Sequence, residues 1–559
     1  MDTPRVSRHT SPMPPQQVSR RRFLGGLAAA TVAATSIALP GRLTAHPASA
    51  PPHYACVLGP LRAHHRARVA YHLRVDAART QRDLPLPTHL CNGDEATYRA
   101  RHGSFHKALP HNHLGEVGRR AYKALLQALH SGKPADFEHI PLGGTVKLAN
   151  PQAAFAFTLE GPDAQHLALP PAPRLDSAET AAEMVELYWH ALTRDVPFAD
   201  YDQHPLTLAA AAELSTLSDF RGPQDGGFVT PQTLFRGHTP GDLIGPYVSQ
   251  FLWQDMPYGA TTIVQKYRSA LPAVDYMTTF TDWLTIQNGS PVGPTDLDPV
   301  PRYIRTGRDL GEWVHRDFTY QGFLHAALIL LSLADSAAPH NPYAASATQG
   351  GFVTFGGPHI LDLVAKAARC ALLAAWCQKW LVHRRLRPEA FGGLVQLHLS
   401  GAATYAFLHE EVLHADAVAE VLAQFGTALL PMAYAEGCPT HPAYPAGHAA
   451  IAGACATMLK AFFNEASVLP NPVVAQTDGL ALIPYSGPDL TVGNELNKLA
   501  ANVAIGRNLA GVHWRSDGLE GLRLGEAVAL GLLSDLVACH NETFHGFTLT
   551  TFDGTRVVV

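Results

Sequence analysis

Apolar residues dominate helix-length stretches over most of the second half of the chain. The Ala/Leu-rich segments Ile360–Arg385, Thr404–Leu422, Ala449–Phe463, Glu495–Asn508 and Gly518–Cys539 predict long helices. Upstream, Arg62–Arg79, Val117–Gly132, the amphipathic Ala178–Thr193, Leu206–Leu217, Tyr276–Asn288 and Leu310–Ala338 also read as helical. Strand patterning is sparse. Phe155–Leu159 is one strand-like piece, and Phe547–Val559 with its Asp553-Gly554 turn predicts a hairpin. The expected class is mostly α, with a helical-bundle core, a peripheral irregular layer and a small C-terminal β-hairpin. The expected division is a leader over 1–50, a peripheral region over 51–240 and the helical core over 241–559. There are no repeats and no nucleotide-binding Gly-rich loop.

Composition narrows this picture. Of the 559 residues, 47% are hydrophobic and 16% charged, which suits a large core and burial of surface between subunits. The net charge of −5 points away from nucleic acid and acidic membrane surfaces as partners. Ser19-Arg20-Arg21-Arg22-Phe23-Leu24 is a twin-arginine pattern, followed by a weakly apolar, Ala-rich run and a small-residue cleavage site at Ala48-Ser49-Ala50. It predicts export of an already folded protein to the periplasm or beyond, with no membrane span in the mature chain. The seven cysteines include no Cys-x-x-Cys pair, so zinc and iron–sulfur sites are not indicated. Cys370 and Cys377 read as small core residues. The His-rich run Phe105–His113 reads as a solvated loop, since no partner spacing supports a ligand set.

Three segments carry chemistry. In Trp376–Pro388, Pro388 ends a helix, and Lys379 and Arg387 lie eight residues apart. On a continuous helix that spacing is a net rotation of about 80°, so both cations lean to one side. Together they can neutralise an oxyanion, although a basic, solvated helix end has the same composition. In Cys438–Ala449, prolines make a rigid stretch that runs into a helix start at Gly447-His448, where free N–H groups and the helix dipole favour an anion. His441 and His448 flank it. In Ile505–Asp517, Gly511 lets the helix end so that His513 folds back toward Arg507, and Asp517 or a backbone carbonyl can hold the other imidazole nitrogen.

Taken together and in this order, Lys-x7-Arg-Pro, Pro-Ala-Gly-His and Arg-x5-His-x3-Asp resemble the vanadium-dependent haloperoxidases of the acid-phosphatase (type 2 phosphatidate phosphatase) superfamily. Asn92-Gly93-Asp94-Glu95, Phe105-His106-Lys107, Gly245–Phe251 and Gly356-Gly357-Pro358-His359 extend the resemblance to the bromoperoxidase branch. It implies vanadate bonded to His513, with Lys379, Arg387, Arg507 and the Gly447 N–H on its oxygens and His448 as acid/base toward hydrogen peroxide. Lys379, His448 and His513 are then the catalytic set. His441 and Trp376 would line the halide and substrate pocket, and His441, where chloroperoxidase-type members hold Phe, implies bromide and iodide over chloride. The implied product is a hypohalous species that halogenates a small organic substrate. The implied assembly is a homo-oligomer, from dimer to dodecamer.

Ala446 departs from the pattern, since many members carry Ser there, and its loss implies weaker vanadate retention. Two other readings stay open. An exported phosphatase of the same superfamily would use His513 as nucleophile and His448 as the leaving-group acid. An exported helical protein with an inactive site is the other.

Overall fold

The computed structural model describes residues 59–333 and 336–559. The segment expected to be a twin-arginine leader lies outside these residues. The second of two compact units, Val69–Val559, carries every element discussed below. Seven helices position the candidate site: α1 (Ala178–Thr193), α2 (Gly307–Arg316), α3 (Gly357–Cys377), α4 (Pro388–Leu399), α5 (Gly447–Phe462), α6 (Val492–Leu509) and α7 (Arg515–Val537).

α5 is the axis of the bundle. Every residue of it except His448 is buried, and it packs most extensively on α7, then on α3 and α6. Its Ala/Gly composition allows this. A Cβ at Gly525 of α7 would land on the Ala450 carbonyl, one at Gly521 on Ala449, and one at Gly453 of α5 on the Leu522 carbonyl. The two backbones therefore touch with no side chain between them. α1, placed by the sequence in the 51–240 layer, is buried along nearly its whole length and belongs to the main core cluster. Ser177 caps it by accepting from the Thr180 N–H.

The mostly helical class holds, and so does the C-terminal hairpin, Thr548–Thr550 paired with Arg556–Val558. Two further small hairpins, Met256–Tyr258 with Thr261–Ile263 and Val473–Ala475 with Leu482–Pro484, escaped the sequence pattern, because strands of three residues show no periodicity. Phe155–Leu159 is not a strand. A 3₁₀ turn ends at Phe155, and Phe157 and Leu159 are exposed with no strand to pair.

Three predicted helices are broken. Leu310–Ala338 divides into α2 and Gln321–Ser332, because Asp317 is extended and the chain turns there. In Thr404–Leu422, His409 caps a short turn, Glu410–Leu413, before the helix Asp416–Phe425. Ile360–Arg385 leaves α-helical geometry at Cys377 and continues as a π-helical turn, Gln378–His383, ended by Arg384 in the left-handed region (φ 42°).

The run Phe105–Leu109 is buried rather than solvated. Lys107 pairs with Glu389 at 2.7 Å and donates to the carbonyls of Glu436 and Cys438. It pins the stretch that leads into the proline-rich segment. Cys377 is buried, as expected, while Cys370 is half-buried.

Candidate active site

The ends of five helices bring one cluster of buried polar side chains together, and the space they face is the candidate pocket. Lys379 sits in the π-helical turn after α3, and the neighbouring Trp380 is fully buried in a second apolar cluster with Phe105 and Leu125. The lysine Nζ donates to the carbonyls of Pro442 (2.8 Å) and Ala443 (2.7 Å). Arg387 is the extended residue just before α4, not the end of a helix shared with Lys379. The expectation that both cations share a helical face is therefore corrected. A π turn and a chain reversal at Arg384 bring them together instead.

Arg387 is held by the backbone and by two imidazoles. Its Nε donates to the His441 carbonyl (2.9 Å), and Nη2 contacts His441 Nδ1 (3.0 Å). Its Nη1 donates to the Val512 carbonyl (2.7 Å) and contacts His513 Nε2 (3.0 Å). His513 follows the end of α6, where Gly511 adopts φ 82° and the Val512 N–H returns to the Arg507 carbonyl. The predicted fold-back is present.

His513 Nδ1 lies 2.8 Å from Asp517 Oδ2. A carboxylate only accepts, so Nδ1 carries the proton and Nε2 keeps its lone pair toward the pocket. Asp517 also accepts from the Trp514 N–H (3.1 Å) and from Arg385 (2.9 Å), and Arg385 pairs in turn with Glu183 of α1.

The pocket is strongly electropositive. Lys379, Arg387, Arg507 and His513 are all buried. Asp517 is committed to Arg385 and His513, and Glu389 to Lys107. Among the described residues, none of the three cations has a carboxylate within ion-pair distance. Burial, then the Arg387 and Arg507 charges, push the Lys379 ammonium well below its ordinary pKa. Burial, followed by Arg387, Lys379 and Arg507, holds His513 neutral at ordinary pH. Burial, followed by Arg387 and Lys379, does the same for His441. Arg507 makes two long contacts, from Nη1 to the Val314 carbonyl and the Tyr434 hydroxyl (3.4 Å each), and its buried Nε has no partner. Such an arrangement lacks a counter-charge, and an oxyanion supplies one.

The remaining predicted residues border this pocket. A side chain at Gly447 would press on Leu372 and Trp376 at 3.3 Å and on the Lys379 stem at 3.9 Å, so the start of α5 lies against the lysine. Trp376 packs on His441, with 4.7 Å between ring centroids. His448, half-buried, meets Asp317 Oδ1 through Nε2 at 3.2 Å. Ala446 precedes α5 without a side-chain cap and donates its N–H to the Asp517 carbonyl.

Comparison with known proteins gives this geometry a family. A model described as the VCPO second helical-bundle domain matches residues 359–540. The chain is 38% identical to a vanadium-dependent bromoperoxidase of Ascophyllum nodosum, over 86% of this chain and 90% of the relative. The chain belongs to the vanadium-dependent bromoperoxidases. A relative so named from Corallina pilulifera is 35% identical, over 88% of this chain and 98% of its own. The homohexameric structure of the second vanadate-dependent bromoperoxidase from Ascophyllum nodosum superposes with a TM-score of 0.85 at 31% identity, covering 94% of this chain and 95% of that one.

Within that family frame, sequence reasoning missed Asp317 and Tyr434. Asp317 was hidden inside a supposed continuous helix, and it lies 131 residues from the His448 it holds. A break signalled by Asp317 and Thr319, both poor helix formers, was the available clue.

Asp517 is the residue on which the local order converges. Asp517→Ala leaves Arg385 half-paired and the Trp514 and His513 N–H groups without an acceptor. It should destabilise the protein by about 3–5 kcal/mol. Thermal melting at a fixed scan rate measures this, and a midpoint equal to wild type contradicts the assignment.

Proposed function

We propose that the chain is a vanadate-dependent haloperoxidase that oxidises bromide, and iodide, with hydrogen peroxide, and that the hypohalous product halogenates small organic substrates. The observation that carries the reading is the trio of buried cations around the neutral His513 imidazole, without a carboxylate of their own.

The donors present suit vanadate. Lys379 uses two of its three N–H bonds on carbonyls and keeps one. Arg507 has a free, buried Nε–H. The α5 N-terminus adds the Gly447 N–H. His513 Nε2 is the unprotonated nitrogen a metal requires, fixed by Asp517 behind it. Nε2 would hold the metal through the lone pair that Arg387 now shares, and that arginine N–H would then be free for an oxygen. Bound vanadate supplies Lewis acidity without a change of oxidation state.

The chain's own residues do the rest. With Nε2 of His448 held to Asp317, its Nδ1 is the nitrogen left to exchange a proton with peroxide. Lys379, destabilised as a cation until an anion arrives, donates its remaining hydrogen to an oxygen there. His441, packed on Trp376, stands where chloroperoxidase-type members hold Phe, and that resemblance supports bromide over chloride. In the alternative reading, an exported phosphatase of the same superfamily, His513 would be the nucleophile, and family membership favours the haloperoxidase.

A homo-oligomer is part of this reading, supported by the homohexamer of the solved relative and the low charged fraction. Export by the twin-arginine route to the periplasm or medium is the reading of Ser19–Leu24. No described helix is long and apolar enough to cross a membrane.

The deciding experiment is bromination of a phenol indicator by purified protein with peroxide and bromide, with and without vanadate, beside hydrolysis of a phosphate ester. Vanadate-dependent bromination, abolished in His513→Ala and found in the exported fraction of the cells, is the expected result. Ester hydrolysis without bromination contradicts it.

A second expectation concerns Ala446. A hydrogen bond to a charged group contributes about 1.5–3 kcal/mol, so Ala446→Ser should tighten the vanadate Kd roughly tenfold or more. An unchanged Kd removes the lost hydroxyl from the account.

A further inference from the structure

Lys379 and Arg387 are fixed by hydrogen bonds of 2.7–3.0 Å, and Arg507 is not. Both of its contacts are long, 3.4 Å, and both come from Nη1. Its Nε has no partner. The ring of Tyr434 also lies against it, with the guanidinium carbon 5.5 Å from the centroid.

Tyr434 itself is tightly determined. It is 1% exposed, and its hydroxyl donates to the Gly311 carbonyl of α2. A phenol has one proton, so the oxygen presents only its lone pairs to Arg507. The His315 imidazole lies on the ring, with 3.8 Å between centroids and 13° between planes. His315 is clamped between Glu312 (3.1 Å) and Glu436 (2.7 Å). Burial opposes its charge, but hydrogen bonds to these two carboxylates outweigh burial and raise its pKa above the ordinary value. Glu312 is held further by Arg316. The layers thus run from a fixed ion cluster at the C-terminal end of α2, through Tyr434, to the least restrained cation of the pocket.

We propose that Tyr434 is the positioning residue for Arg507, setting where its guanidinium stands and so how tightly the pocket holds vanadate. The proposal rests on the vanadate reading above. A long, flexible side chain gains affinity for an anion to the extent that it is ordered before binding. Tyr434 supplies the order that Arg507 has, through a hydroxyl of fixed polarity and a ring face that is itself immobilised.

Equilibrium dialysis of the full-length, vanadate-free protein against orthovanadate tests this in wild type, Tyr434→Phe and Tyr434→Leu, beside thermal melting of the same proteins without vanadate. Losing only the hydroxyl should raise the vanadate Kd roughly three- to tenfold. Losing the ring as well should raise it further. The Phe variant keeps the core packing, so it remains informative if the Leu variant folds poorly. A wild-type Kd in both variants, with only the melting midpoint lowered, marks a purely structural role and overturns the inference alone. No saturable uptake by wild type overturns the proposed function and the inference with it.

Discussion

Three cations buried around a neutral imidazole repel one another, and the fold must hold them there before any anion arrives. Neighbouring carboxylates do not do this, since Asp517 and Glu389 are engaged elsewhere. Backbone carbonyls do it instead. Those of His441, Pro442, Ala443 and Val512 accept from Lys379 and Arg387. A carbonyl orients a cation without cancelling its charge, so the pocket keeps its appetite for an oxyanion while the donors stay in place.

The architecture follows from that requirement. The accepting carbonyls lie in the non-helical segments that lead into α5 and out of α6, where no helix ladder claims them, and the ends of α3 and α6 meet the starts of α4, α5 and α7 here. The close contact of α5 with α7, through Gly453, Gly521 and Gly525, fixes the start of one helix against the start of the other. Gly447 and Asp517 come together through it, joined by the Ala446 N–H on the Asp517 carbonyl. Behind this contact, Arg385 ties Asp517 to Glu183, and Lys107 ties Glu389 to the carbonyls of Glu436 and Cys438. Paired buried charges thus form the frame, and unpaired ones form the site.

What was legible in the sequence was local. Pro445-Ala446-Gly447-His448 announces a helix start, Gly511 a helix end, and Asp517 a partner four residues from His513, and each needs only neighbouring residues to be read. The family resemblance of the three segments supplied their convergence. Contacts across long stretches of chain were not legible. Asp317 reaches His448, Tyr434 reaches Arg507, and Lys107 reaches Glu389, and no spacing rule connects such pairs. Lys379 and Arg387 are instructive because their proximity was expected from an unbroken helix and is achieved by a π turn and a left-handed Arg384. The buried run around Lys107 misled for a related reason, since its polar residues are satisfied by distant carbonyls that composition does not show.

The central claim is that the cation pocket is completed by a single oxyanion. Calorimetric titration of the vanadate-free protein with orthovanadate, repeated in the presence of inorganic phosphate, tests it most directly. The account predicts one vanadate per chain, with phosphate and vanadate excluding each other competitively. Absence of saturable binding, or independent binding of the two anions, contradicts it.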